Sequence, residues 1–246
     1  MQKRGLSQES LKLIACIAML IDHMGEIVLL QCLDETTGAA KGMWLDVYKA
    51  CCIVGRLAFP IFCFLLVEGA FYTKNPKRYG IRLLIGALLS EIPYDFAFYG
   101  SISYKGQSVM LTLLLGFAML QVFKKCPNLL LRMLAVLLFA IAAEYLRGDY
   151  GYLGILVIAV FAITYEHQNK HLWRFLLLWL IFSPVHMRML NWSNDFSYEI
   201  QQLATLAVVP ISLYSGQKAT KSKLLQWAFY LFYPVHIGVL YLISCI

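Results

Sequence analysis

The chain has 246 residues, of which 60% are apolar and 14% charged, and its mean hydropathy is +0.67; soluble domains carry roughly 45–50% apolar and about 25% charged residues. These proportions exclude an ordinary soluble domain. The net charge of +7, from 21 Lys and Arg against 14 Asp and Glu, falls in short gaps between apolar blocks and calls for no nucleic-acid partner.

In chain order the apolar blocks cover residues 11–30, 50–71, 79–98, 108–123, 128–146, 150–165, 172–187, 200–214 and 224–243. They are long enough to cross about 30 Å of hydrocarbon as helices and too continuously apolar for barrel strands, which alternate over about ten residues. The expected fold is all-α, a polytopic transmembrane bundle of about nine spans, with residues 1–246 forming one domain. A cleaved leader is not expected, because the first apolar stretch continues past Asp22 and His23.

Loop charges set the orientation. Lys3 and Arg4, then Lys74, Lys77 and Arg78, then Lys124 and Lys125, then Lys170 and Arg174, and finally Lys218, Lys221 and Lys223 border alternate gaps. The intervening gaps hold Asp34, Glu35, Asp46, Asp95, Asp149, Asp195 and Glu199. The positive-inside bias places the N-terminus in the cytoplasm. The seven Cys show no C-x-x-C spacing and mostly lie in apolar blocks, so they read as lipid-buried small residues rather than as disulfides or zinc ligands.

An ionisable group deep in a bilayer costs a few kcal/mol, yet Lys12, Asp22, His23, Glu26, Arg56, Glu68, Arg82, Glu91, Glu144 and His236 fall within predicted spans, with His186 near an end. Pairing between helices accounts for any one of them; the set, with two deep histidines, points to a polar cavity. Lys12 and His23 are eleven helical steps apart, so they share a face within about 20° and are separated by about 16 Å along the axis. That separation suits an extended molecule with an anionic head at the cytoplasmic surface and a reactive tail in the membrane.

Asp22 is set for Glu26, one turn on, or for a neighbouring helix, and Glu26 is within reach of a His23 ring nitrogen. The neutral imidazole is the form that a general base requires. Pro60 frees a carbonyl four residues earlier and is expected to kink its helix beside a cavity. Arg56 and Glu68 are too far apart to pair with each other. Arg78 and Arg82 share a face and, with Lys12, form a basic cluster suited either to lipid headgroups or to phosphates. His236 lies at a depth like that of His23, and Tyr233 is three residues before it, as a hydroxyl donor to it or to a substrate. No metal-ligand spacing, G-x-S-x-G, P-loop or dinucleotide fingerprint occurs, and His167 with His171 reads as a loop feature.

Several runs together resemble the TraX family of conjugal-transfer membrane proteins: Asp22-His23-Met24-Gly25, Gly55-Arg56-Leu57-Ala58-Phe59-Pro60, Glu91-Ile92-Pro93-Tyr94-Asp95, Asp149-Tyr150-Gly151 and Phe232-Tyr233-Pro234-Val235-His236. They occur in order over nearly the whole chain. The family is named for a pilin N-acetylase and is similar to wider integral-membrane acyltransferases, in which an Arg or Lys, ten intervening residues and a catalytic His occupy the first span. Lys12 and His23 match that spacing. Glu68 stands where the wider family has Ser.

The resemblance implies acyl transfer, with acetyl-CoA as donor and Lys12, Arg78 and Arg82 on its phosphates. His23 would act as general base with Asp22 or Glu26, and His236, Arg56 and Tyr233 would stabilise the oxyanion or position the acceptor, with Glu68 also on the substrate side. Transfer could be direct or through an acetyl-histidine. The acceptor would be a protein, peptide, glycan or lipid amine or hydroxyl, a pilin-like N-terminus first, and the location a cell membrane, the bacterial cytoplasmic one. The competing classes are a secondary transporter, which requires repeated halves, and a non-enzymatic assembly factor in which the histidines only pack helices.

Overall fold

The computed structural model describes residues 5–35, 37–183, 200–217 and 222–246. His186, Lys3, Arg4, Asp195, Glu199, Lys218 and Lys221, named above, lie outside them. Among the described residues the structure is helical, with two isolated bridges, Leu6 to Tyr214 and Gln107 to Gly148. The elements are α1 (Gln8–His23), a π-helical segment (Met24–Leu29), α2 (Leu30–Glu35), α3 (Ala39–Gly55), α4 (Ala58–Tyr72), α5 (Pro76–Tyr99), α6 (Val109–Phe123), α7 (Leu129–Tyr145), α8 (Gly151–Ile163), α9 (Lys170–Ile181), a 3₁₀ segment (Ile200–Ala207) leading into α10 (Val208–Ser212), and α11 (Lys223–Ser244).

Local chemistry explains where the helices start and stop. The side chains of Ser7, Asn75, Asn128 and Ser222 each accept from a backbone N–H three residues on, at 2.9–3.3 Å, which satisfies orphan donors of the first turn. Pro76 follows the Asn75 cap, where its missing N–H costs nothing. Gly100 ends α5 in the left-handed region at φ 71°, a conformation open to glycine without strain.

The expected span over 50–71 is two helices. α3 begins at Ala39 and stops at Gly55, and α4 starts at Ala58. The break falls at Arg56 and Leu57, where Pro60 leaves the Arg56 carbonyl without its helical donor. Among the described residues, three helical stretches are long and apolar enough to cross a membrane: Gln8–Leu33, Ala40–Tyr72 and Leu224–Ser244. Val109–Phe123, Gly151–Ile163 and Ile200–Ser212 are shorter apolar helices.

α4 and α8 form the centre of the bundle, buried almost all round. α1 packs on α3, α4 and α11, while α5 lies between α6 and α11, and α7 backs α8. Small residues, Gly154, Ala159 and Ala162, let α8 approach its neighbours closely, the usual device when lipid tails are as apolar as the side chains. The outer faces of α5, α7 and α11 expose Leu88, Ile92, Leu130, Leu138, Val235 and Leu242, a surface suited to hydrocarbon rather than to water. The molecule is an all-α membrane bundle.

Candidate active site

Two cavities are lined by described residues of the bundle. The first, about 270 Å³, is lined by Met19, Asp22, His23 and Glu26 of the first helix, by Gly55, Arg56, Phe59 and Phe62 around the helix break, and by Tyr94, Asp149, Tyr150, Gln201 and Tyr233. The second, about 410 Å³, is lined by Gln8, Lys12, Tyr79, Arg82, Gln226, Phe229 and Tyr230. Helical arithmetic puts Lys12 and His23 on one stripe, and the structure gives each a cavity of its own, with Phe62 and Leu113 in the wall of both.

His23 Nδ1 is 2.7 Å from His236 Nε2, and His236 Nδ1 is 2.6 Å from the Phe232 carbonyl oxygen. The two rings are nearly parallel, 5° apart, with centroids 5.0 Å apart. A carbonyl oxygen only accepts, so His236 Nδ1 carries a hydrogen and donates to it. In a neutral pair His236 then holds its lone pair at Nε2, His23 Nδ1 donates to it, and the lone pair of His23 is left at Nε2. Phe98 and Tyr233 pack edge-on against the His23 ring at 6.0 and 5.9 Å, which fixes its plane.

Asp22 turns to the neighbouring helix rather than to Glu26. Arg56 Nη2 donates to Asp22 Oδ1 and Oδ2 at 3.1 and 3.3 Å, Nη1 to Gln201 Oε1 at 2.8 Å, and Nε to the Cys52 carbonyl at 3.2 Å. Gly55 makes this possible, since a Cβ there would overlap the Asp22 carboxyl.

Glu26 does not reach His23, which corrects the sequence expectation. The helix goes into π geometry at Met24, directly after His23, and the wider turn rotates Glu26 onto α3. There it accepts from the Tyr48 hydroxyl at 3.2 Å and from Cys52 Sγ at 3.6 Å. π turns inside α-helices recur at functional sites.

The fourth wall is a strained loop. Tyr150 sits at φ 61°, a region that costs a bulky residue of order 1–3 kcal/mol. It is held by the Asp149 carboxylate on its N–H at 3.0 Å, by face-to-face stacking on Phe59 at 3.8 Å, and by the backbone pairing of Gln107 with Arg147 and Asp149 at 2.9 and 2.8 Å. Thr112 Oγ1 also donates to the Asp149 carbonyl.

In the second cavity Arg82 Nη1 donates to Gln226 at 3.0 Å, while its buried Nε has no partner. Lys12 Nζ lies over the Phe229 ring at 5.1 Å. Arg78 is exposed and lines neither cavity. Glu68 is buried away from both, among the Tyr165 and Tyr214 hydroxyls and near Arg174. These placements take Arg78 and Glu68 out of the site.

The sequence reading did not single out Gln201, Asp149, Tyr150 or Tyr48 for roles. Gln201 and Gln202 are two amides at the head of an apolar block, which is the signal that would have found them.

The fold and these cavities define a helical membrane protein with a paired-histidine polar chamber inside the bundle. The chain belongs to the TraX protein family, whose profile matches residues 7–244. It is 27% identical over 245 residues to the probable fimbrial assembly protein FimC, serogroup H1, of Dichelobacter nodosus, covering 94% of this chain and 92% of that protein. No solved structure matches.

Proposed function

We propose that the protein is a membrane-embedded acyltransferase that moves an acetyl group from cytosolic acetyl-CoA to an acceptor amine or hydroxyl, a pilin-like N-terminus first. The observation that carries this reading is the pair of cavities meeting at Phe62 and Leu113. One is rimmed by cations with donors to spare, and the other is lined by His23, about 16 Å further along the helix of Lys12 and paired with His236. A thioester donor has that shape, with phosphates at one end, a reactive carbonyl at the other and a thin arm between.

In this mechanism Lys12 and Arg82 hold the phosphates. The acceptor nitrogen or oxygen bonds to the thioester carbon while His23 Nε2 takes its proton. The C–S bond then breaks, and the sulfur leaves with that proton. His236 positions the imidazole through the Nδ1 bond, much as a buried acceptor orients the base in other acyl-transfer sites. The chamber is lined by the carboxyls of Asp22, Glu26 and Asp149 against the single guanidinium of Arg56, a balance that favours an amine over a neutral hydroxyl. The fimbrial assembly relative supports a pilin-like acceptor.

The test is release of free thiol from acetyl-CoA by the protein in lipid nanodiscs, with a pilin-like N-terminal peptide supplied as free or blocked amine. Turnover with the free amine and a fall of about 10²–10⁴-fold in His23→Ala are expected. Equal rates in wild type and His23→Ala, or no turnover with any acceptor, would overturn the reading.

A further inference from the structure

Arg56 is the obvious electrophile of the chamber, yet each of its three nitrogens already has a protein partner: Nη2 donates to Asp22, Nη1 to Gln201 and Nε to the Cys52 carbonyl. Gln201 is in the opposite condition. It is 6% exposed, lines the same chamber as His23, and its Nε2 has no hydrogen-bond partner among the described residues. The Tyr150 hydroxyl interacts with this amide without closing a bond of normal geometry to Nε2.

The orientation of that amide is determined. A guanidinium only donates, so the atom 2.8 Å from Arg56 Nη1 must be the Gln201 oxygen. The NH₂ therefore faces away from Arg56, and the chain Asp22–Arg56–Gln201 holds it in place. A buried, unmade amide bond costs about 1–3 kcal/mol, so a donor kept in this state in a cavity wall implies an oxygen acceptor on the occupant.

We infer that Gln201 Nε2 is the donor to the thioester carbonyl oxygen of the acyl substrate, forming the oxyanion site opposite the His23 base. The assignment rests on the acyltransferase reading. As the acceptor attacks, the carbonyl π electrons move onto oxygen and the amide N–H stabilises the developing negative charge; as the C–S bond breaks, they return. Arg56 is then a positioning residue that acts through Gln201, with Asp22 behind it.

Two variants separate this role from simple anchoring of Arg56. Gln201→Glu keeps an oxygen for Arg56 and removes the N–H donor; Gln201→Met removes both. Thiol release is expected to fall by about 10²–10³-fold in both, with acetyl-CoA affinity unchanged in Gln201→Glu. The infrared carbonyl band of bound acetyl-CoA, ¹³C-labelled at the acetyl carbonyl, should lie below its free position in wild type and return towards it in Gln201→Glu. Wild-type-level turnover in Gln201→Glu, or a bound carbonyl band at the same position in wild type and Gln201→Glu, would overturn the assignment, because an anchor alone tolerates Glu. Absence of both bound carbonyl band and thiol release in wild type would instead bring down the acyl-transfer reading, and this inference with it.

Discussion

The two cavities are built on opposite principles. In the His23 chamber nearly every polar group is tied to another: His23 to His236, His236 to a backbone carbonyl, Arg56 to Asp22 and Gln201, Glu26 to Tyr48 and Cys52. In the Lys12 cavity the cations lean on aromatic faces, Lys12 on Phe229 and Arg82 on Tyr79 and Tyr230, and Arg82 Nε is unbonded. A wired site keeps its geometry with or without ligand, which suits chemistry. A loosely held cationic site is completed by an anion, which suits binding. The tied His23 and the loosely held Lys12 sit at the two ends of one helix.

That contrast can be broken from either side. The largest effect is expected at Gly55→Ala, where the added methyl displaces the Asp22 carboxyl and unpairs Arg56. Breaking a buried ion pair costs about 3–5 kcal/mol, so a clear drop in thermal stability in detergent should accompany loss of thiol release. Retention of both would mean that the Asp22–Arg56–Gln201 chain is not what holds the chamber.

Lys12→Ala and Arg82→Gln come next. Each removes a charge-assisted phosphate bond worth about 1.5–3 kcal/mol, and acetyl-CoA KM should rise by roughly 10–100-fold with kcat nearly unchanged. A fall in kcat instead would place these residues on the reacting end. Glu68→Gln should matter least. Its side chain lies outside both cavities, so kinetic constants within about twofold of wild type are expected, with about 1 kcal/mol of stability lost from its contacts with the Tyr165 and Tyr214 hydroxyls.

Much of the architecture was legible in the sequence, because helix ends follow local chemistry. The blocks at 108–123 and 128–146 correspond to helices Val109–Phe123 and Leu129–Tyr145, while the kink expected at Pro60 is a full break beside the chamber. What the sequence could not show was tertiary. Gly25, inside the π turn after His23, lies close against Cys51 and Tyr48 of another helix, and that turn sends Glu26 away from the histidine.

Azimuth arithmetic correctly put Lys12 and His23 on one face. It could not pair Asp22 with Arg56, 34 residues away, or Arg56 with Gln201, 145 residues away. Arg78 followed the periodicity of its neighbour Arg82, but at the exposed start of α5 it has no cavity to line. Glu68 lies one helix face away from the chamber that Phe59 and Phe62 of the same helix help to form.

The central claim is that the two cavities are halves of one track for a single thioester. A structure of the protein in lipid with a non-cleavable thioether analogue of acetyl-CoA tests this most directly. The account predicts phosphates at Lys12 and Arg82, the arm passing between Phe62 and Leu113, and the carbonyl between His23 Nε2 and Gln201 Nε2. An analogue confined to one side of that waist, or bound outside both cavities, would contradict it.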